Sequence, residues 1–209
     1  MSHIAAFDEA FARCPLVAIL RGVRPDEVEA IGEELVSAGF SLIEVPMNSP
    51  EPLDSIGRLA KRFAGRAQIG AGTVLVEGQV AEIEGAGGTM IISPNANLKV
   101  IAASAARGLV SLPGIFTMSE AFAALDTGAT ALKLFPAEAA NPTVLKAMRA
   151  VLPKDARVLP VGGIAPETMA PWRAAGAAGF GLGSALYKPG MTAAEVGANA
   201  RAFVAALDA

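Results

Sequence analysis

The strongest constraint on this chain is a repeat. Short apolar runs begin at Leu16, Leu42, Gln68, Thr89, Leu109, Ala131, Val158 and Phe180, 20 to 27 residues apart. That spacing leaves room for a strand of about five residues, a helix of about ten and two short loops in each unit. The punctuation agrees. Arg24-Pro25-Asp26-Glu27, Asn48-Ser49-Pro50-Glu51, Asn141-Pro142 and Ala165-Pro166-Glu167 read as helix entries, where proline suits the first turn and a carboxylate suits the helix dipole. Gly39, Gly87, Gly108, Gly128 and Gly176 each stand just before the next apolar run, where a left-handed cap favours a residue without Cβ.

Strands joined by crossover helices pair in parallel, and eight such units are the number that closes a (β/α)8 barrel. The expected fold is therefore α/β, a TIM barrel formed as one domain over residues 1–209, with Ile4 to Arg13 as an extra N-terminal helix over its bottom. A single core can serve a chain of up to about 250 residues. An open doubly wound sheet is the competing architecture. Against it, Gly181-Leu182-Gly183 falls at the end of the chain rather than after the first strand, and no G-x-G-x-x-G is completed.

Composition removes whole classes of chemistry. His3 is the only histidine and Cys14 the only cysteine, so Ser-His-Asp and Cys-His catalysis, His-ligated metals, zinc clusters and structural disulfides are not expected. With 17 basic and 20 acidic residues, a net charge of −3, no basic run and 5% aromatics, nucleic acid is not an expected partner. No apolar stretch approaches the roughly 18 residues of a membrane helix. Asp8, Glu9 and Arg13 interrupt the N-terminus in a way unlike a secretory signal. The expectation is a cytoplasmic protein without a metal, its chemistry drawn from Lys, Arg, Asp, Glu, hydroxyls or the backbone.

In such a barrel the reactive groups sit at the C-terminal ends of strands. Four polar residues stand there against the packing pattern: Arg21, Glu44, Thr73 and Lys133. In Ala131-Leu132-Lys133-Leu134-Phe135-Pro136, alternation puts Lys133 and Phe135 opposite the two leucines, hence facing the interior. Lys61, Lys99, Lys146, Lys154 and Lys188 fall in helices or loops, as solvated charges do. A free lysine with a pKa near 10.4 is a poor nucleophile at pH 7, and burial among apolar groups prepares it to form a Schiff base. The other reading of Lys133 is a buried lysine satisfied by a carboxylate, with Glu44 in the second run as its partner. If instead Glu44 meets Lys133 across the centre, it can shuttle protons. Arg21 suits a bidentate clamp on a carboxylate or a plain surface arginine, and Thr73 follows two glycines that admit a ligand or form a tight turn.

The clearest ligand signal comes late. Val161-Gly162-Gly163-Ile164 ends the seventh run and Gly179-Phe180-Gly181-Leu182-Gly183-Ser184 the eighth. Loops after the last two strands are the common phosphate site of this fold, with backbone N–H donors and often a hydroxyl. A phosphorylated small molecule is the expected ligand, with close packing of glycine as the alternative.

These residues, with Ile19-Leu20-Arg21-Gly22, Ile43-Glu44-Val45-Pro46-Met47-Asn48-Ser49-Pro50, Ile69-Gly70-Ala71-Gly72-Thr73-Val74, Ile92-Ser93-Pro94-Asn95 and Leu132-Lys133-Leu134-Phe135-Pro136-Ala137, run nearly the length of the chain. Together they resemble the 2-keto-3-deoxy-6-phosphogluconate/galactonate aldolase family. The resemblance implies a class I (β/α)8 aldolase, typically homotrimeric and without metal or cofactor. Such an enzyme cleaves a phosphorylated 2-keto-3-deoxy sugar acid to pyruvate and glyceraldehyde 3-phosphate. It also implies roles: Lys133 forms the imine, Glu44 is the acid/base, and Phe135 packs beside the imine. Thr73 and the backbone near Pro94 hold the pyruvoyl end, and Gly162, Gly163, Gly183 and Ser184 bind the phosphate.

One departure is informative. Phosphogluconate-type members look like E-V-T-L-R after the glutamate, whereas here Asn48 stands where that arginine would be. Val161 stands where those members usually carry threonine. Both features, with Arg21 closing the first run, look like the galactonate branch. A threonine hydroxyl can bond one configuration of the carbon-4 hydroxyl and valine cannot, a difference worth at most roughly tenfold in discrimination. The phosphogluconate epimer, a phosphosugar isomerase or epimerase, and a non-catalytic sugar-phosphate-binding barrel stay open as alternatives. The alanines Ala102, Ala103, Ala105 and Ala106 suit either the chain's own core or a neighbouring subunit.

Overall fold

The computed structural model describes residues 2–208. A helix, α1 (His3–Arg13), precedes the first strand, β1 (Leu16–Ile19). There follow α2 (Val28–Ser37), β2 (Leu42–Pro46), α3 (Pro52–Arg62), β3 (Gln68–Gly72), α4 (Gly78–Gly85), β4 (Met90–Ile92) and α5 (Leu98–Ala106). The second half runs β5 (Val110–Leu112), β6 (Gly114–Ile115), α6 (Met118–Asp126), β7 (Leu132–Leu134), α7 (Pro142–Arg149), β8 (Val158–Pro160), α8 (Met169–Ala174), β9 (Phe180–Leu182) and α9 (Ala193–Asp208).

The strands form two sheets, β5-β4-β3-β2-β1-β9 and β6-β7-β8, and every pairing is parallel. The expected fifth run is therefore two strands, divided at Pro113. Proline has no N–H to give to a ladder, so it interrupts β-structure, although its carbonyl still accepts from Lys133 N–H at 2.9 Å. A single parallel bridge joins Val161, just beyond β8, to Gly181 in β9.

The punctuation is met at most sites. Gly39, Gly87, Gly108, Gly128 and Gly176 have φ of 107°, 91°, 67°, 104° and 99°, the left-handed region that disfavours a Cβ. Asn141 caps α7 by accepting from Val144 N–H at 3.0 Å, with Pro142 in the first turn. The entry expected at Pro50 is displaced: α3 starts at Pro52, and Glu51 ahead of it has φ 40°. A capping box of Thr117 and Glu120 opens α6.

Alternation along each strand sorts side chains into two clusters. Leu16 and Ala18 of β1, Ile43 and Val45 of β2, and Leu132 and Leu134 of β7 pack with the helices. Val17, Leu42, Met90, Ile92, Val110, Leu112 and Leu159 meet on the opposite face, where Phe7 and Phe11 of α1 join them. Arg157 holds α1 in place, with Nη1 2.6 Å from Asp8 and its guanidinium over both phenylalanine rings. Glu44 and Lys133 occupy the alternate positions of β2 and β7, on this second face.

Glycines in β3 make space on that face. A Cβ on Gly72 would come 2.4 Å from the Glu44 carboxylate, and one on Gly70 would come 2.3 Å from the Met90 carbonyl oxygen. The second obstacle is backbone and cannot turn away. Gly70→Ala is expected to cost about 1–3 kcal/mol by overpacking, read as a lower urea midpoint at unchanged slope; an unshifted midpoint would show that the sheet yields freely.

Candidate active site

Lys133 and Glu44 are 5% and 1% exposed, and both border one narrow internal space with Ile19, Leu159 and Val161. Among the described residues neither Glu44 oxygen has a hydrogen-bond partner, and no ion pair joins the carboxylate to the amine. The reading of Lys133 as a lysine satisfied by Glu44 is thereby corrected. The two share a chamber and feel each other's charge without contact. Burial pushes the Glu44 carboxyl up from its ordinary range, and the charges of Lys133 and Arg21 only partly oppose this. Burial pushes the Lys133 amine down; the Glu44 charge opposes that shift and Arg21 adds to it. Both shifts favour the neutral form, which for the lysine is the nucleophile. Its Nζ lies 4.9 Å from the centre of the Phe135 ring.

Three strand-end loops meet above this chamber. Arg21 Nη1 donates to Asn48 Oδ1 at 2.7 Å and to Thr73 Oγ1 at 3.3 Å. Gly22 N–H donates to Ser49 Oγ at 2.9 Å, tying the same loops through the backbone. Thr73 has φ 56°, a strained conformation for a β-branched residue that costs of order 1–3 kcal/mol and persists because its surroundings hold it. Asn48, legible only as a missing arginine, is thus the group that orients the arginine present.

Outward of the chamber lies a cavity of about 290 Å³. Of the expected residues it gathers Arg21, Lys133, Phe135, Val161, Gly162, Gly163, Gly183 and Ser184. Thr73 and Pro94 line neither space: Thr73 reaches the site through Arg21, and the Pro94 carbonyl packs where a Cβ on Gly114 would stand. The cavity also takes in Glu138, Tyr187 and Lys188, which the pattern did not single out. Glu138 stands three residues past Phe135 and Lys188 four past Ser184, spacings that a short turn carries back to the same wall. Among the described residues no group of three or more His, Cys, Asp or Glu side chains is placed to hold a metal ion.

The family model for KDPG and KHG aldolase matches residues 7–200. A probable 2-dehydro-3-deoxy-6-phosphogalactonate aldolase of Rhizobium meliloti (strain 1021) is 46% identical over 195 residues, 93% of this chain and 92% of that protein. The 2-dehydro-3-deoxy-6-phosphogalactonate aldolase of Escherichia coli (strain K12) is 44% identical, over 93% of this chain and 95% of its own. A solved structure, a native KDPGal structure, superposes with a TM-score of 0.93 at 44% identity and covers 94% of this chain and 95% of that one.

The electrostatics of the chamber give a test. Since the Arg21 charge lowers the Lys133 pKa, Arg21→Met is expected to raise it. The pH at which Lys133 becomes reactive toward a small aldehyde, trapped by borohydride and read by mass spectrometry, then moves upward. A midpoint that stays or falls would show that Arg21 does not act on the amine.

Proposed function

The chain belongs to the KDPG and KHG aldolase family and is a class I aldolase, a carbon–carbon lyase; from that membership we propose that its substrate is 2-dehydro-3-deoxy-6-phospho-D-galactonate. The products are pyruvate and D-glyceraldehyde 3-phosphate. The observation that carries the reading is the amine of Lys133, buried in an apolar layer and facing a cavity that also holds Arg21 and the paired glycines.

In this mechanism neutral Lys133 Nζ adds to the carbon-2 ketone, and the carbinolamine loses water to give a protonated imine. The carbon-4 hydroxyl gives up its proton, the C3–C4 bond breaks, and its electron pair moves toward the iminium, leaving an enamine as glyceraldehyde 3-phosphate departs. The enamine then takes a proton at carbon 3, and water hydrolyses the imine to free pyruvate and the amine. Glu44 accepts and returns these protons, a task that a carboxyl raised toward working pH performs well. Phe135 packs beside the imine. Arg21, held by Asn48 and Thr73, binds the substrate carboxylate, with the backbone near Pro94 at the pyruvoyl end. Gly162, Gly163, Gly183 and Ser184 take the phosphate, with Val161 beside carbon 4.

We infer further that the two sheets close as one (β/α)8 barrel over residues 2–208, with α1 across its N-terminal end. This is supported by the single proline between β5 and β6 and by the Val161–Gly181 bridge between β8 and β9. We also infer a homotrimer. Exposed Leu75 and Val76 after β3, Leu98 at the start of α5 and Phe116 after β6 supply apolar surface for a partner copy. A cytoplasmic setting suits this reading, and no helix among the described residues is long and apolar enough to cross a membrane.

The test is pyruvate release from the two carbon-4 epimers assayed side by side. The galacto substrate is expected to show the higher kcat/KM, and Val161→Thr to move the ratio toward the gluco epimer by up to about tenfold. Lys133→Ala is expected to abolish turnover. A gluco preference in the unaltered enzyme would refute the substrate assignment, and turnover by Lys133→Ala would refute the mechanism.

A further inference from the structure

The cavity has an unbalanced charge at its outer end. Ile19, Lys133 and Val161 border both the inner chamber and the cavity, and so form the floor between them. The paired glycines, Ser184, Tyr187 and Lys188 belong to the cavity alone. A phosphate ester brought there carries about −1.5 to −2 charges at pH 7. Gly163 and Ser184 make no hydrogen bond among the described residues, so their donors are open, but those donors are neutral. The Glu138 carboxylate already lies against the glycine pair: a Cβ on Gly162 would stand 2.0 Å from one of its oxygens. A dianion entering this end meets a negative group and needs a positive one.

Lys188 is placed to supply it. Leu186 N–H and Tyr187 N–H both donate to the Gly183 carbonyl, at 2.9 and 3.0 Å, forming a single turn that carries Lys188 back to the wall holding Ser184. The residues on either side of it are pinned. Tyr187 is 3% exposed and its hydroxyl donates to Glu27 Oε1 at 3.1 Å. Pro189 packs on Gly22, where a Cβ would stand 2.8 Å from the proline ring. Lys188 itself is exposed and enters no ion pair among the described residues, so its ammonium is available on a fixed base. Arg21, the other cation of the rim, is turned toward Asn48 and Thr73.

We propose that Lys188 is the cation that binds the phosphate of the substrate, dividing the two acidic ends of one molecule between itself and Arg21. The inference rests on the proposed phosphorylated substrate. A charge-assisted contact of this kind is worth roughly 10- to 100-fold in binding.

The experiment compares kcat/KM for the phosphorylated keto acid with that for its unphosphorylated counterpart, in the unaltered enzyme and in Lys188→Gln and Lys188→Arg. The ratio is expected to fall about 10- to 100-fold in Lys188→Gln and to recover most of that loss in Lys188→Arg, and inhibition by inorganic phosphate should weaken in parallel with the ratio. A loss of equal size on both substrates would assign Lys188 a structural role and overturn the proposal, as would an unchanged ratio. Were the unaltered enzyme to show no preference for the phosphorylated substrate, the substrate assignment itself would fall and the proposal with it.

Discussion

An amine and a carboxylate share the apolar face inside this fold without touching, and the rest of the structure depends on that arrangement. A contact ion pair would hold both groups charged, whereas separation inside an apolar layer lets burial push each toward its neutral form. Burying two titratable groups without a hydrogen-bond partner for either among the described residues is costly even when they are neutral, so the surrounding core has to be strong. Phe7, Leu42, Met90, Val110 and Leu159 supply it from one face, and α1 seals that face with Arg157 and its two phenylalanine neighbours. The glycines of β3 are the complement of this core, since any side chain at Gly72 would press on the Glu44 carboxylate.

Charge is graded outward from that layer. Arg21 stands at the rim, close enough to influence both buried groups and fixed by Asn48 and by Thr73 in its strained conformation. The strain is local and is balanced by the bonds that join three loops above the chamber. Further out, Tyr187 and Pro189 lock the turn after β9 to the loop after β1, so the outer wall is built on the same strand ends as the inner one. Substrate selection and amine activation are in this way mechanically continuous.

Much of this was legible in the residues because period-two alternation is a strict rule. Leucines at 132 and 134 oblige Lys133 to face the other way, and glycines before five of the eight apolar runs mark helix ends by a conformation other residues resist. What stayed hidden depends on distance or on a single backbone atom. Pro113 splits a run that reads as continuous, because the missing N–H leaves no trace in hydrophobicity. The separation of Glu44 from Lys133 depends on the room that Gly72 leaves beside the carboxylate, which a pattern of alternation does not contain. Asn48 and Arg21 are 27 positions apart, and Lys188 sits in a loop of ordinary polarity. Their roles come from the turns that bring them round.

The most direct test is covalent. Incubation with pyruvate and borohydride, followed by peptide mapping, should place one reduced pyruvate on the peptide containing Lys133 and nowhere else in the chain. A label on Lys61, Lys99, Lys146, Lys154 or Lys188 instead, or no label while pyruvate is still being produced from substrate, would contradict the account of Lys133 as the imine-forming residue.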